Sequence, residues 1–185
     1  MDAATGEAGW HNGRMTAERV IDSPLGRLLL TAADRGVSAV SFEADLDVPR
    51  DADRSSPQRD CAPSSGQHPS AAHHLERAEA ELAEFFAGER RGFTVPLAPP
   101  ATTELRRAVH NHLAQIPYGT TRTYTQVADS VGRPRATRAI GSACGSNPLP
   151  ILVPCHRVLR ADGSLGGYRG GLEAKRMLLD LESGR

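Results

Sequence analysis

Asn147-Pro148-Leu149-Pro150-Ile151-Leu152-Val153-Pro154-Cys155-His156-Arg157-Val158 is the stretch around which this 185-residue chain is organised. Three prolines restrict the backbone ahead of the cysteine. The apolar run Ile151-Leu152-Val153 reads as a short buried strand. A thiol and an imidazole then stand side by side. A free thiol titrates at about pH 8.5, so at neutral pH it is mostly unreactive. A nucleophilic cysteine here needs help, and His156, Arg157 and a later acid are placed to give it.

Immediately upstream the pattern is helical. Residues 103–115 put Leu105, Val109 and Leu113 on one face, and Ile116-Pro117-Tyr118-Gly119 ends that helix. Thr123-Tyr124-Thr125-Gln126 is a capping-box pattern and opens a second helix, with Val127, Ala128 and Val131 inward and Gly132 as its stop. Pro134 suits the first turn of a third helix carrying Ala136, Arg138, Ala139, Ile140, Ala143 and Cys144. Two short helices joined by a glycine-containing turn form a helix-turn-helix pattern. The second is poor in the Arg, Asn and Gln that read base edges and rich in Ala, Gly and Ser. That favours close approach to a groove by shape and phosphate contact.

Downstream come Gly163, Gly166, Gly167, Gly170 and Gly171, with Tyr168 and Arg169 between them. A last helix, Leu172 to Leu181, is expected to turn Ala174, Met177, Leu178 and Leu181 inward. Glu182 at its end opposes the helix dipole, which suggests a specific partner, and His156 is the one expected.

The N-terminal half has a different character. Residues 1–15 read as a disordered arm, with Trp10 lacking an obvious core. Strands are expected around Arg19-Val20-Ile21, Leu28 to Ala32 and Val37 to Phe42, a β-meander. Residues 45–74 hold almost no large apolar side chain and read as a disordered insertion. Cys61, His68, His73 and His74 fall in it without a repeating ligand spacing, so no metal site is expected. From Leu75 a helix follows with Ala78, Leu82, Phe85 and Phe86 on one face, then a strand through Phe93, Val95 and Leu97, and Pro99-Pro100 as a linker. The fold class is therefore α+β: a scaffold unit over 16–100, then a helical unit with the helix-turn-helix over 101–185.

The totals of 22 basic and 22 acidic residues cancel, but unevenly. Residues 101–185 carry 12 Lys and Arg against 6 Asp and Glu, leaving 10 against 16 for residues 1–100. An excess of +6 in the second half suits an anionic partner. Three scattered cysteines make no disulfide framework and fit a reducing compartment. No apolar run is long enough to span a membrane and no secretory signal is evident, so a cytoplasmic protein is expected.

Pro154-Cys155-His156-Arg157-Val158, with the Ile-Pro-Tyr-Gly turn and the helix-turn-helix before it, resembles the O6-alkylguanine-DNA alkyltransferases. The resemblance is strong over residues 101–182 and looser over 17–42 and 75–97. It implies a ribonuclease H-like N-terminal domain and direct-reversal repair, with the alkyl group passing irreversibly, once per molecule, from O6-alkylguanine to Cys155. Activity on O4-alkylthymine stays open. By the same resemblance His156 deprotonates Cys155 through a water, Glu182 orients His156, and Asn147 braces the turn. Arg138 fills the gap left by the flipped nucleotide, Tyr124 presses on the 3′ phosphate, and Ala136 and Ala139 face the DNA. Pro150, Val158, Tyr168 and Arg169 form the base pocket. The implied partner is double-stranded DNA, entered from the minor groove by a monomer, and no cofactor is implied.

Some positions depart from the family pattern. Leu105-Arg106 and Val109-His110 replace the usual Phe-Gln and Val-Trp, Arg169 stands where a small residue is common, and the cysteines of the zinc site that some members carry are absent. Cys144 reads as a small buried residue. Three rivals remain: a helix-turn-helix regulator, a damage-recognition protein that does not repair, and a Cys-His hydrolase.

Overall fold

The computed structural model describes residues 16–43 and 69–184. The N-terminal arm with Trp10, the segment 44–68 with Cys61 and His68, and Arg185 lie outside the described residues.

Three antiparallel strands open the fold: β1 (Thr16–Ile21), β2 (Leu28–Ala33) and β3 (Gly36–Phe42), in the order β1-β2-β3. Alternation places Leu28, Leu30 and Ala32 of β2 fully inside, against α1 (Pro69–Phe86). This helix begins six residues before Leu75, where the apolar periodicity had suggested its start. Ala71, one turn earlier, is already buried and continues the stripe of Leu75, Ala78, Leu82 and Phe85, while Pro69 fits a first turn because its missing N–H has no helical partner there. His73 and His74 therefore sit in a helix. Among the described residues no group of His, Cys, Asp and Glu is arranged to hold a metal.

The expected strand through Phe93, Val95 and Leu97 is only an extended segment. It touches the sheet through one parallel bridge, Val37 to Leu97. The Val37 N–H donates to the Pro96 carbonyl at 2.8 Å and the Ala98 N–H to the Val37 carbonyl at 2.8 Å. Pro96, Pro99 and Pro100 have no N–H to extend the ladder. A Cβ at Gly36, φ +141°, would lie 2.3 Å from the Pro96 carbonyl oxygen, so this approach requires glycine.

The second half is helical. Thr103 caps α2 (Glu104–Leu113), accepting from the Arg106 N–H. The capping box at Thr123 and Gln126 is formed in full and starts α3 (Tyr124–Ser130). α4 (Thr137–Gly145) packs on both α2 and α3. Pro134 lies in the turn before α4 rather than in its first turn, and Ala136 is the capping residue. Arg122–Thr123 and Val158–Leu159 pair as two short parallel strands, β4 and β5, a contact that periodicity did not reveal. α5 (Gly171–Ser183) closes the chain. It buries Ala174 and Leu178 as expected, but Met177 is 45 % exposed and Lys175 is fully buried in its stead. No helix among the described residues is long and apolar enough to cross a membrane.

Candidate active site

The run Ile151-Leu152-Val153 is buried, yet it is a turn and not a strand. The Val153 N–H donates to the Leu149 carbonyl and the Cys155 N–H to the Val153 carbonyl, both at 2.8 Å. Asn147, 2 % exposed, takes the place of a neighbouring strand: its Nδ2 donates to the Val153 carbonyl at 2.8 Å and its Oδ1 accepts from the Leu149 N–H at 3.1 Å. Ile151 sits at φ +74°, the one non-glycine residue with positive φ among those described. A β-branched side chain there stores strain, which the surrounding proline and Asn147 contacts hold in place. The product is a rigid bend that ends in a single 3-10 turn over Cys155–Arg157.

Cys155 is 5 % exposed. Burial pushes its thiol up, while the Asn147 side chain and the Lys175 cation pull it down, and the balance remains above the ordinary value. It is therefore a protonated thiol at neutral pH and requires a base. His156 is fully buried, and burial holds its pKa below the ordinary value although Glu182 pulls it upward. Its Nε2 lies 2.9 Å from Glu182 Oε1. A carboxylate only accepts, so Nε2 carries the proton and Nδ1 is left with a lone pair. That Nδ1 is buried without a hydrogen-bond partner.

Glu182 is held from three sides. Arg157 donates from Nε at 2.9 Å and from Nη2 at 2.7 Å, and the Gly119 N–H donates at 3.1 Å. The Ile-Pro-Tyr-Gly turn supplies this frame, since the Ile116 carbonyl also accepts from Arg157 and the Tyr118 hydroxyl donates to the Leu181 carbonyl at 3.2 Å. Burial pushes the Glu182 carboxyl up, but the bonds from His156 and Arg157 outweigh it and bring the pKa to about 2.

An open pocket of about 1010 Å³ lies beside this cluster. Its wall on α4 is Thr137, Arg138, Gly141 and Gly145, and it faces Tyr124, Gly166 and Tyr168. Arg160 and Arg169 complete the rim, so three arginines and no carboxylate line it. The Tyr168 hydroxyl is buried and unpartnered, and burial raises its pKa well above the ordinary phenol, so it stays a donor. Ala136 and Ala139 flank Arg138 at the start of α4. Two expected pocket residues are not in its lining. Pro150 is buried within the bend, and Val158 is fully buried with its carbonyl accepting from Lys175 Nζ at 2.6 Å. Cys144 is a buried free thiol on α4, pushed up to about 12 chiefly by burial.

Lys175 was not anticipated. It lies one turn before Leu178 and two before Glu182, on the inward stripe of α5. Two charges on a buried helical face are a readable signal.

A helix-turn-helix with a small-residue face and a cationic rim, in one domain with a buried thiol and a carboxylate-held imidazole, is the arrangement expected of a DNA-binding protein with a cysteine at its centre. Two family models match the chain: the 6-O-methylguanine DNA methyltransferase ribonuclease-like domain over residues 17–99, and the DNA binding domain of the same family over 104–184. The methylated-DNA–protein-cysteine methyltransferase of Methanosarcina acetivorans is 39 % identical across 88 % of this chain and 96 % of its own. The solved O6-methylguanine methyltransferase of Mycobacterium tuberculosis superposes with a TM-score of 0.72 at 36 % identity, over 92 % of this chain and 94 % of that one. A Mycobacterium tuberculosis OGT in complex with DNA matches equally, with a TM-score of 0.72 at 36 % identity over 90 % and 92 % of the two chains. The chain belongs to the methylated-DNA–protein-cysteine methyltransferase family.

Proposed function

We propose that Cys155 is the alkyl acceptor and that the residues around it divide the work as follows. His156 Nδ1 takes the thiol proton, directly or through a water, while Glu182 fixes the ring through Nε2. The thiolate attacks the alkyl carbon bound to O6 of guanine. A sulfur–carbon bond forms, the carbon–O6 bond breaks, and the electron pair leaves with the purine. The Tyr168 hydroxyl and the backbone N–H of Arg169 donate to the charge that develops there. Asn147 keeps the bend rigid, and Lys175 offsets the negative charge of the sulfur. The observation that carries this reading is the unpartnered His156 Nδ1, a base made ready by the carboxylate on the opposite nitrogen.

The base must leave the stack to reach a buried sulfur. Arg138 fills the space it vacates, Tyr124 turns the 3′ phosphate, and Ala136 and Ala139 let α4 lie close in the minor groove. Monomeric binding to double-stranded DNA, repair in the cytoplasm, and one alkyl group per molecule complete the proposal. The thioether is stable, so the protein is consumed. A regulator would leave Cys155, His156 and Glu182 without a task, a recognition protein that does not repair needs no thiol, and a hydrolase would release its product.

Incubation with a duplex containing O6-methylguanine, followed by peptide mass analysis, is the test. Cys155 should gain one methyl group, and Cys155→Ala should bind the duplex and gain none. Methyl transfer by Cys155→Ala would move the acceptor elsewhere.

A further inference from the structure

We propose that Phe42, at the end of β3, is a positioning residue for alkyl transfer: it sets the orientation of Tyr168, so the N-terminal sheet tunes a site whose reacting groups all come from the second half of the chain. The inference rests on the roles given above to Cys155 and Tyr168.

Tyr168 has an unpartnered hydroxyl, so no hydrogen bond from that group fixes its ring. Its orientation comes from packing. The Phe42 ring, 3 % exposed, meets it edge-on at 5.7 Å between centroids and 69° between planes. Tyr168 also meets the His156 ring, at 6.3 Å and 88°. A relay of three rings thus runs from the sheet to the imidazole.

Gly170 gives the second observation. A Cβ there would lie 2.6 Å from Phe42 Cε1, 2.7 Å from Cζ and 2.8 Å from Cδ1. The backbone at Gly170 is at φ −78° and ψ 9°, which any residue adopts. Glycine is therefore required by the ring of Phe42 and not by the turn. The Gly171 N–H closes the same turn on the Tyr168 carbonyl at 3.0 Å. Phe42 thus packs closely against the segment that carries the phenol.

β3 also bonds to the bend that precedes Cys155. Two residues before Phe42, the Val40 N–H donates to the Pro148 carbonyl at 2.8 Å, next to the Asn147 brace. One strand end thus spans both segments that flank Cys155. A purely structural core phenylalanine would affect stability; a positioning one affects the transfer step, and does so through Tyr168.

Single-turnover transfer from O6-methylguanine duplex, measured over a range of DNA concentrations, separates the limiting rate from affinity. Phe42→Val should lower the limiting rate about tenfold and leave duplex affinity within about twofold, because a small misplacement of a donor is costly in rate. In a Tyr168→Phe background the same change should cost less than about twofold, since the hydroxyl it positions is gone. Gly170→Ala should also slow transfer, and adding Phe42→Val should make room for the methyl and restore the rate to that of Phe42→Val alone. Equal slowing by Phe42→Val in both backgrounds, or weakened affinity at an unchanged limiting rate, would overturn the proposal. Should Phe42→Val fail to fold by thermal melting, Phe42→Leu replaces it in the same comparisons. Wild-type protein that transfers nothing overturns the reading of Cys155 itself; wild-type transfer matched by the Phe42 variants overturns the positioning role alone.

Discussion

Glu182→Gln removes one charge while keeping the shape of a side chain that is 1 % exposed. The wild-type carboxyl sits at about 2 against an ordinary 4.5, which corresponds to about 3 kcal/mol of stability carried by the ionised form. The pKa is depressed on folding, so this stability is fully present above pH 4.5 and is lost as the pH falls towards 2. The amide also strands the Arg157 guanidinium, 6 % exposed, without its counter-charge. We expect Glu182→Gln to lose about 3 kcal/mol at pH 7 in urea unfolding, and the gap from wild type to narrow as pH drops from 4.5 towards 2. The amide N–H can donate to His156 Nε2, which drives the ring proton to Nδ1 and removes the base. Single-turnover transfer should then slow by about 100-fold or more. A stability gap under about 1 kcal/mol that does not change with pH, together with a transfer rate within about threefold of wild type, would deny Glu182 both its ion-pair role and its hold on the His156 tautomer.

Lys175→Met removes the buried cation that lowers the Cys155 thiol; the pH profile of Cys155 alkylation should move to higher pH, and an unmoved profile would deny Lys175 its role. Arg138→Ala should slow repair of duplex DNA more than reaction with free O6-benzylguanine, because only the duplex needs its vacated stack filled; equal losses on both argue against that role. Gly166→Ala puts a Cβ 2.3 Å from Tyr124 Oη, so it should cost about 1–3 kcal/mol in thermal or urea unfolding and slow duplex repair; a variant as stable and active as wild type would mean that Tyr124 moves freely.

The sequence disclosed elements whose signals are local. The capping box at Thr123 and Gln126, the strand-forming run of β2 and the stripe of α1 from Leu75 each rest on near neighbours, and each is present. It failed where long-range contacts decide. Ile151-Leu152-Val153 has strand composition, but the Asn147 amide occupies the Val153 carbonyl, the Val153 N–H turns back on the Leu149 carbonyl, and Pro148, Pro150 and Pro154 have no N–H to pair with a strand, so it folds into a turn. The β4–β5 pair joins residues some 36 apart in sequence and has only two residues per strand, too little for any periodicity. Met177 was expected inward because hydrophobicity ranks it first, whereas the buried place goes to Lys175, whose ammonium donates to the Val158 carbonyl at 2.6 Å. The pairing of Glu182 with His156 was legible from the mismatch between a glutamate and its helix end; the three-sided frame of Arg157 and Gly119 was not.

A second carboxylate shows what distinguishes a site from a strut. Glu81, 3 % exposed on α1, is pushed up by burial and brought to about 2 by bonds from Thr94, Arg77 and Val95. Its electrostatic signature matches that of Glu182, so a perturbed pKa alone would nominate both. The networks differ in their ends. Around Glu81 every bond closes: the Thr94 hydroxyl at 2.6 Å, the Thr94 and Val95 N–H groups at 2.7 and 3.1 Å, and Arg77 at 2.9 Å tie the helix to the extended segment and stop there. Around Glu182 the chain of bonds runs through His156 and ends on a bare Nδ1, with the bare hydroxyl of Tyr168 beside it. Among the described residues two other buried nitrogens lack partners, on His74 and His112, but neither lines the pocket. Buried polar groups are costly to leave unpaired. A fold that tolerates two of them within one ring contact, near a buried thiol, carries a cost that the substrate proposed for this site would remove by supplying the missing partners.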